Sequence, residues 1–378
     1  MTKLGVLIVG QTPPPYGGQA IIIDNLVHGT YEQIDVHHVR MEFSETLSDA
    51  RKFSVTKVLH VFELIAKVLW ARLRTGATVL YYPPSGPTRH GVLRDLVVLP
   101  SVRWAFRDTV FHFHAGGISE YYPTLPQPLQ FLARRAYFHP TLAINSSELN
   151  PPDAAFVGAR HSVVVPLGIR DDAATFLDDR PTARGAGRPV ILFVGFLVDD
   201  KGTVTLLEAA GELRRRGHDV EVRFMGEFPT PEVRDGFWKL AEDQGIRDRV
   251  VHLGVLTGDA KSQQYADADI FCFPSHFESE TFGVVLLEAM QFELPVVTTR
   301  WRGIPSVVAE GETALLADIK DSATVADHLE RLLDDPALRE KLGQAGRRRF
   351  LELYEESRFT AALEQAIVDA VCPTGPRG

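Results

Sequence analysis

The stretch that decides the fold runs from Phe271-Cys-Phe-Pro-Ser275 to Glu280-Thr-Phe-Gly-Val-Val-Leu-Leu-Glu288. The apolar run 269–274 predicts a buried strand that ends at a proline, and residues 282–290 predict a helix. Glu280 would lie at or just before the helix N-terminus and Glu288 inside the helix, about 12 Å further along the axis. Between them, free backbone N–H groups near Gly283 favour an anion.

This order of carboxylate, anion site and carboxylate is suited to a nucleotide-sugar. One acid would bind sugar hydroxyls, the helix N-terminus the diphosphate, and the other acid the ribose hydroxyls. Two solvated glutamates flanking a core helix would give the same pattern. The residues alone therefore leave both interpretations open.

The composition is that of an ordinary globular protein, with 378 residues, of which 45% are hydrophobic and 24% charged. Two domains are expected at this length. The sequence predicts neither a signal peptide nor a membrane-spanning segment, since no window reaches 18 apolar residues. Cys272 and Cys372 fit a reducing compartment, so we expect a cytoplasmic protein.

The net charge of -9 is unevenly distributed along the chain. Residues 1–170 hold 16 Lys and Arg against 12 Asp and Glu, a balance of +4, which leaves -13 for the remainder. This asymmetry fits an anionic acceptor or membrane surface beside the first half. Chance variation of the surface fits it as well.

Apolar strand patterns alternate with helical patterns along the whole chain, which predicts doubly wound parallel sheets. The charged stretch 171–189, rich in Gly and Pro, predicts a linker. We therefore expect an α/β protein with two Rossmann-like domains, at 1–170 and 171–378, facing a central cleft. Ligands of such sheets bind beyond the carboxyl ends of the strands.

Two loops that follow predicted strands carry glycine or lysine at the start of the next helix. In Gln11-Thr-Pro-Pro-Pro-Tyr-Gly-Gly18, the pair Gly17 and Gly18 would let the backbone approach a ligand. The third glycine of the dinucleotide fingerprint is not at its spacing. Lys201 opens the helix after the first strand of the second domain, where it would neutralise a phosphate. A plain turn and a surface lysine are the alternatives.

His112 and His114 lie two residues apart at the end of a strand, so they should share one face. His114 precedes Gly116 and Gly117 and would bind a sugar hydroxyl or assist proton transfer. A structural role is the alternative, and a zinc pair finds no third ligand at suitable spacing. Asp267-Ala-Asp269 resembles a metal-binding acidic pair, but it introduces a strand and is interpreted as structural. We expect no metal.

The segment 52–74 predicts a long helix with basic residues and a wide apolar face. Such a helix could lie on an anionic membrane. Packing against the sheet is the alternative, and it is the commoner use of this pattern.

Taken together, these motifs resemble a retaining family-four glycosyltransferase of the GT-B fold. The resemblance covers nearly the whole chain, and its most specific part is Glu280 to Met290. The other matching stretches are Gly17-Gly18, the strand end at His114, 165–169, Lys201-Gly202, 224–226, 252–254, Pro274-Ser275 and 294–298.

The resemblance implies a nucleotide-sugar donor in the second domain and the acceptor in the first. Glu288 would bind the ribose, and the backbone near Val255 the base. Lys201 would bind the diphosphate, and His114 would contact the transferred sugar. The sugar and diphosphate would be lined by Glu280, Phe282, Gly283 and the adjoining Val284. Gly17 and Gly18 would approach the sugar or the phosphates. The last helix, about 358–371, would cross back onto the first domain.

Two positions depart from the family pattern. Phe196 stands where the family has an arginine that shares the diphosphate charge, and Ser306 where it favours a glutamate. Arg302 and Arg89 are the candidates to supply the missing charge. Arg89 also belongs to the aromatic and polar loop 81–89, which we expect to select the acceptor.

The function that the resemblance implies is transfer of a hexose from a UDP- or GDP-sugar to an acceptor hydroxyl with retention of configuration. The acceptor would be a sugar, a lipid-linked molecule or a small molecule, and no cofactor or nucleic acid is expected. Two alternatives stay open: a GT-B sugar-nucleotide epimerase, and a degenerate transferase that acts as a binding or scaffold subunit.

Overall fold

The computed structural model describes residues 3–14, 16–41, 55–178 and 187–372. Parts of the predicted linker (179–186), of the predicted basic helix (52–54) and of the glycine loop (Pro15) lie outside these ranges. The chain divides into two compact units. Unit 1 is Met1–Ile169 with Glu356–Gly378, and unit 2 is Arg170–Glu355.

Unit 1 contains a six-stranded parallel sheet in the order β2-β1-β3-β4-β5-β6. Its strands are β1 (Leu4–Gly10), β2 (Ile34–Arg40), β3 (Val79–Tyr82), β4 (Asp108–Phe113), β5 (Leu142–Asn145) and β6 (His161–Val164). The central strands β3 and β4 are buried along their whole length, as expected when helices cover both faces of a parallel sheet.

Helices connect these strands and pack on the sheet. They are α1 (Gly18–His28), α2 (Val55–Thr75), α3 (Arg89–Val102), α4 (Ile118–Tyr121), α5 (Gln127–Tyr137) and α6 (Asp153–Phe156). Helix α3 packs between α2 and α5, so these three helices lie side by side. The core between them and the sheet is one continuous cluster of apolar side chains.

Unit 2 contains a second six-stranded parallel sheet, in the order β12-β11-β10-β7-β8-β9. Its strands are β7 (Val190–Val194), β8 (Glu221–Met225), β9 (Val250–Gly254), β10 (Ile270–Phe273), β11 (Val296–Thr299) and β12 (Ala314–Ala317). This is the strand order of the dinucleotide-binding Rossmann fold, whereas unit 1 has the flavodoxin-like order with β1 beside β3.

The helices of unit 2 are α7 (Ala174–Asp178), α8 (Thr203–Arg215), α9 (Pro231–Asp243), α10 (Gly258–Asp267), α11 (Val284–Gln291), α12 (Ile304–Val307), α13 (Ser322–Asp334) and α14 (Pro336–Leu353). Side chains cap several of their starts: Thr230, Asp321 and Asp335 each accept a hydrogen bond from a backbone N–H in the first turn. Pro231 and Pro336 then occupy the first helical position, where a proline lacks no hydrogen bond.

The last helix, α15 (Glu356–Val371), belongs to unit 1. The Glu364 carboxylate accepts hydrogen bonds from the backbone N–H groups of Glu32, Gln33 and Ile34, at 3.2, 2.6 and 2.9 Å. One side chain of α15 therefore satisfies the amides that lead into β2. Within the described ranges, no helix has the length and apolar character that a membrane span requires.

The predicted α/β class with two Rossmann-like sheets is confirmed, but two local predictions were wrong. Helix α11 begins at Val284 rather than near Phe282, because Gly283 has a positive φ of 82° and ends the preceding turn. Glu280 therefore precedes the helix by four residues. The predicted spacing of the two glutamates along one helix axis does not apply. Strand β12 was missed, although the apolar run 314–317 follows a turn at Gly311.

Candidate active site

The strand order of the unit 2 sheet reverses between β7 and β10, since β8 and β9 lie on one side and β11 and β12 on the other. At such a switch point the loops from the two strand ends diverge and leave a crevice for a ligand. The loop after β7 carries Lys201, and the loop after β10 carries Glu280. Residues 79 positions apart in sequence are therefore neighbours at one edge.

Gly202 lets these two loops approach each other. Its φ is 96°, and a Cβ atom there would lie only 2.3 Å from the carbonyl oxygen of Pro274, far inside contact distance. The backbone N–H of His276 also donates to the carbonyl of Asp200 at 2.8 Å. A residue with a side chain at position 202 would push the loops apart.

Lys201 and Glu280 form an ion pair at this switch point, with Nζ 2.8 Å from Oε2. Their side chains are 19% and 10% exposed, so the pair is largely shielded but remains reachable from solvent. Ser275 Oγ donates to the same carboxylate oxygen at 3.3 Å, and Nζ lies 4.0 Å from the centre of the Phe277 ring. The lysine is thus held in place and keeps donor capacity for a second anion.

Glu288, the fifth residue of α11, is buried and accepts two hydrogen bonds. Tyr265 Oη donates to Oε2 at 2.5 Å, and Lys261 Nζ lies 2.6 Å from Oε1. Burial, followed by the negative charge of Glu288, raises the pKa of Tyr265 well above its usual value, so the phenol stays a donor. Lys261 and Tyr265 are four residues apart on α10, which puts them on one face.

The start of α11 lies between the two glutamates in sequence. Gly283 is its N-cap residue, and the N–H groups of Val284 and Val285 in the first turn have no acceptors within the helix, whereas the Leu286 N–H donates to the Gly283 carbonyl at 2.8 Å. The Phe282 ring is buried and meets the Tyr354 ring edge to face, with the ring centres 5.7 Å apart. Its backbone, rather than its ring, is therefore the part available to a ligand.

Three further residues of unit 2 were singled out from the sequence. Val255 follows the edge strand β9, two strands away from β7, and is 52% exposed. Phe196 follows β7 and is half-buried. The Arg302 guanidinium lies 5.4 Å from the centre of the Trp301 ring, whose Nε1 donates to the carbonyl of Phe277 at 2.8 Å. Arg302 is thereby linked to the loop that carries Glu280.

The glycine loop of unit 1 follows β1, at the switch point between β1 and β3. Gly17 is the N-cap residue of α1, which begins at Gly18, and no atom lies within 4 Å of a Cβ built on Gly17. The loop is held by Arg40, whose guanidinium donates to the carbonyls of Thr12, Pro13 and Pro14.

His112 and His114 share one face at the end of β4, as predicted, with ring centres 4.1 Å apart. Tyr81 Oη on β3 lies 2.6 Å from His112 Nδ1 and 3.4 Å from His114 Nε2. Burial lowers the pKa of His114 to about 3, and burial, followed by the neighbouring His114, lowers the pKa of His112 well below its usual value. Both imidazoles are therefore neutral at pH 7.

Two buried aspartates shape the loops around this pair, and sequence reasoning missed both. Asp153 accepts from the backbone N–H groups of Gly117 and Ser119, each at 2.8 Å, and fixes the turn after His114. Asp95 accepts from Tyr82 Oη at 2.6 Å and from the Ser85 N–H at 2.8 Å, which fixes the turn after β3. The only feature of the sequence that could have identified them as buried is that most of their neighbours are apolar.

Arg89 is exposed at the first position of α3, directly after the N-cap residue Thr88. It therefore lies where the loop that follows β3 enters α3, at the end of the segment expected to select the acceptor. Asp269 Oδ2 accepts from the Val190 N–H at 2.8 Å, which agrees with the structural interpretation of that acidic pair. Among the described residues, no cluster of three or more His, Cys, Asp or Glu side chains could hold a metal ion.

Comparison with known families gives a match over residues 176–349, to the family described as "Glycosyl transferases group 1". The chain is 33% identical over 157 residues to the alpha-D-kanosaminyltransferase of Streptomyces kanamyceticus, covering 42% of this chain and 39% of that protein. It is 33% identical over 231 residues to a D-inositol 3-phosphate glycosyltransferase of Arthrobacter sp., covering 57% and 53%.

A GDP-mannose-dependent alpha-(1-6)-phosphatidylinositol monomannoside mannosyltransferase of Mycolicibacterium smegmatis is 32% identical over 165 residues, covering 42% of each chain. The chain thus spans between 39% and 53% of the length of these three relatives. The similarity in sequence is concentrated in part of the chain.

Similarity in structure extends over nearly the whole chain. Anabaena HepE, solved with UDP and glucose, superimposes with a TM-score of 0.74 at 17% identity, covering 97% of this chain and 100% of that chain. The sucrose-phosphate synthase of Thermosynechococcus elongatus gives 0.71 at 18%, covering 97% and 98%. The α/β GT-B fold predicted from the sequence is confirmed, and residues 176–349 match the group 1 glycosyl transferase family.

Proposed function

We propose that the protein transfers a sugar from a nucleotide-sugar donor to an acceptor hydroxyl with retention of anomeric configuration. The observation that carries this proposal is the group of residues at the switch point between β7 and β10, where the Lys201–Glu280 pair and the start of α11 lie, with Glu288 within that helix. UDP occupies HepE, and the mycobacterial relative is named for GDP-mannose, which supports a UDP- or GDP-sugar here.

In this proposal Glu288 binds the ribose hydroxyls, with its carboxylate oriented by Tyr265 and Lys261. Lys201 and the first-turn N–H groups of α11 bind the diphosphate, where charge develops as the bond to the sugar breaks. Glu280 binds the transferred sugar and positions Lys201, and the backbone at Phe282 and Gly283 completes this part. Val255 contributes backbone contacts to the base.

The chemistry we propose is attack from the face that the diphosphate leaves. The bond between the anomeric carbon and the phosphate oxygen breaks while the acceptor oxygen bonds to the same carbon. The acceptor proton passes to the leaving phosphate oxygen. The protein contributes positioning and charge stabilisation, and needs no carboxylate nucleophile of the kind a retaining hydrolase uses.

In unit 1 we assign His114 to a hydroxyl of the transferred sugar, as the family resemblance implies, and Gly17 and Gly18 to backbone contact with the sugar or phosphates. Arg89 is assigned to the acceptor. A neutral imidazole suits a hydroxyl, because it offers one donor and one acceptor without an added charge. We propose catalysis independent of a metal ion.

The test begins with calorimetry of UDP-, GDP-, ADP- and dTDP-sugars against wild type and Glu288→Ala, with and without magnesium. Binding of one nucleotide that weakens in the variant and is indifferent to magnesium supports the proposed donor site. NMR of the product's anomeric proton then decides between retention and inversion. Turnover of the donor without acceptor would support an epimerase, and binding without transfer to any acceptor would support a scaffold subunit.

A further inference from the structure

The strongest feature outside the candidate site is an apolar surface on unit 1. Among the described residues, nine of the seventeen strongly exposed large hydrophobic side chains lie on or directly after the adjacent helices α2, α3 and α5. We call this surface the apolar face. Its members are Leu59, Phe62, Trp70, Leu73, Leu93, Val97, Trp104, Phe131 and Leu132.

Helix α2 contributes most of this face. Leu59, Phe62, Trp70 and Leu73 follow one another at steps of three, eight and three residues, which places all four on one side of a helix. They are 63%, 60%, 66% and 78% exposed. The opposite side, with Leu64 and Val68, is buried in the core of unit 1. Helix α2 is therefore apolar on its outward side as well as on its inward side, a pattern typical of a helix covered on both.

The charge of the three helices indicates what covers the apolar face. Together α2, α3 and α5 contain eight Lys and Arg and two Asp and Glu, a balance of +6 in a chain whose net charge is -9. One of the two acids, Asp95, is fully buried and paired with Arg94. The other, Glu63, pairs with Lys67. Arg74, Arg134 and Arg135 are exposed.

We propose that the apolar face docks on an anionic lipid surface. Exposed Trp, Phe and Leu on a basic background are suited to the boundary between headgroups and acyl chains. A second copy of the chain is the less favourable occupant, because a two-fold contact would place equal positive charges opposite one another. This inference is independent of the proposed function, since none of the nine members of the apolar face belongs to the candidate active site.

The experiment is co-sedimentation with vesicles of phosphatidylcholine alone or mixed with phosphatidylglycerol. We expect binding to the mixed vesicles that weakens with added salt. The double variant Trp70→Ser with Leu73→Ser should weaken partitioning about tenfold or more, because both side chains would enter the interface. Replacing Arg74 and Arg135 with Gln should weaken partitioning onto the mixed vesicles about fivefold for each charge removed.

Leu351→Ser with Leu353→Ser is the matched control, since both residues are exposed leucines on α14 of unit 2. That variant should bind vesicles like wild type. Equal binding by the Trp70 and Leu73 variant would overturn the proposal. A dimer in solution that this variant abolishes, without vesicle binding by wild type, would overturn it in favour of self-association.

A measurement on the unmodified chain guards against misfolded variants. The protein has four tryptophans, and two of them, Trp70 and Trp104, lie on the apolar face. Brominated acyl chains should quench about half of the tryptophan emission when anionic vesicles bind. Binding without quenching would place the contact elsewhere and would overturn the proposal.

Discussion

At the carboxyl edge of the unit 2 sheet the site residues form ion pairs, whereas the tyrosine and histidines at the ends of β3 and β4 in unit 1 are neutral. Lys201 pairs with Glu280 and Lys261 with Glu288 in unit 2. In unit 1, Tyr81 lies against His112 and His114, whose pKa values burial lowers. Two sheets of one architecture thus offer different chemistry at equivalent edges.

The difference follows from what each edge has to bind under the proposed function. A diphosphate carries charge, and a lysine prepositioned by a carboxylate meets that charge without reorganisation. A sugar or acceptor hydroxyl is neutral, so uncharged donors and acceptors bind it at a smaller cost in desolvation. The comparison predicts that changes in unit 2 act through charge and changes in unit 1 through proton placement.

The largest effect is expected from Lys201→Ala. Removing the cation that we propose binds the diphosphate should lower kcat about 10²–10³-fold and change the affinity for the donor much less. Steady-state kinetics with titration calorimetry would separate the two quantities. Lys239→Ala, at an exposed position of α9, is the control. Unchanged kcat in Lys201→Ala would remove this residue from the mechanism.

Glu288→Ala should weaken donor binding about 10–100-fold, because the ribose would lose a carboxylate acceptor fixed by two donors. Calorimetry with the nucleoside diphosphate alone tests this without any turnover. Exposed Glu242 on α9 offers the matched Glu→Ala control. An unaltered dissociation constant would contradict the assignment of Glu288 to the donor.

Tyr81→Phe should lower kcat/KM by about tenfold through His114, as expected when a hydrogen bond to an active group is lost. Tyr81 Oη lies between His112 Nδ1 and His114 Nε2, so it can accept a hydrogen bond from one imidazole and donate one to the other. In either direction the tyrosine determines which nitrogen of His114 carries the proton.

Nitrogen-15 NMR of the histidine rings tests this arrangement without substrate. In Tyr81→Phe the His114 signals should move toward a mixture of the two neutral tautomers. Tyr82→Phe is the matched control, because Tyr82 is an equally buried neighbour that bonds to Asp95 instead. Identical His114 spectra in wild type and Tyr81→Phe would refute the proposed proton arrangement.

Acid should destabilise unit 1 through its neutral histidines. The pKa of His114 is about 3 in the folded chain against an ordinary value of 6.5, so below pH 6.5 the unfolded state binds more protons. The free energy of unfolding should fall as pH falls from 6.5 towards 3, by up to about 1.4 kcal/mol per pH unit for this group. His114→Gln should lose this contribution in urea titrations at pH 7 and 5. An equal pH dependence in wild type and variant would contradict it.

The smallest effect is expected from Arg89→Ala. Since Arg89 is exposed at the first position of α3, its loss should raise KM for the acceptor a few-fold, about 1 kcal/mol or less, and leave donor binding unchanged. Initial rates at varied acceptor concentration test this. A constant acceptor KM would take Arg89 out of acceptor selection.

The sequence was sufficient for the parallel sheets apart from β12, and for the segment from β10 to α11 apart from the first residue of the helix, because apolar runs of strand length and helical periodicity are local signals. The Lys201–Glu280 pair was not predicted, because it depends on the close approach of Gly202 to the Pro274 carbonyl. That contact joins two loops that lie far apart in the sequence. The hydrogen bonds that Lys261 and Tyr265 donate to Glu288 were not predicted either. A lysine and a tyrosine four residues apart on α10 are only a weak sign of a binding role, and the role becomes clear only from the position of α11 beside them.

The contact of Glu364 with the amides before β2 has a consequence for biosynthesis. These amides emerge from the ribosome early, whereas the carboxylate that satisfies them emerges only after every residue of unit 2. During translation the second unit in sequence can therefore complete its contacts before the first unit does. A nascent chain halted before Glu364 would leave these three amides without their acceptor, even with its entire first sheet already synthesised.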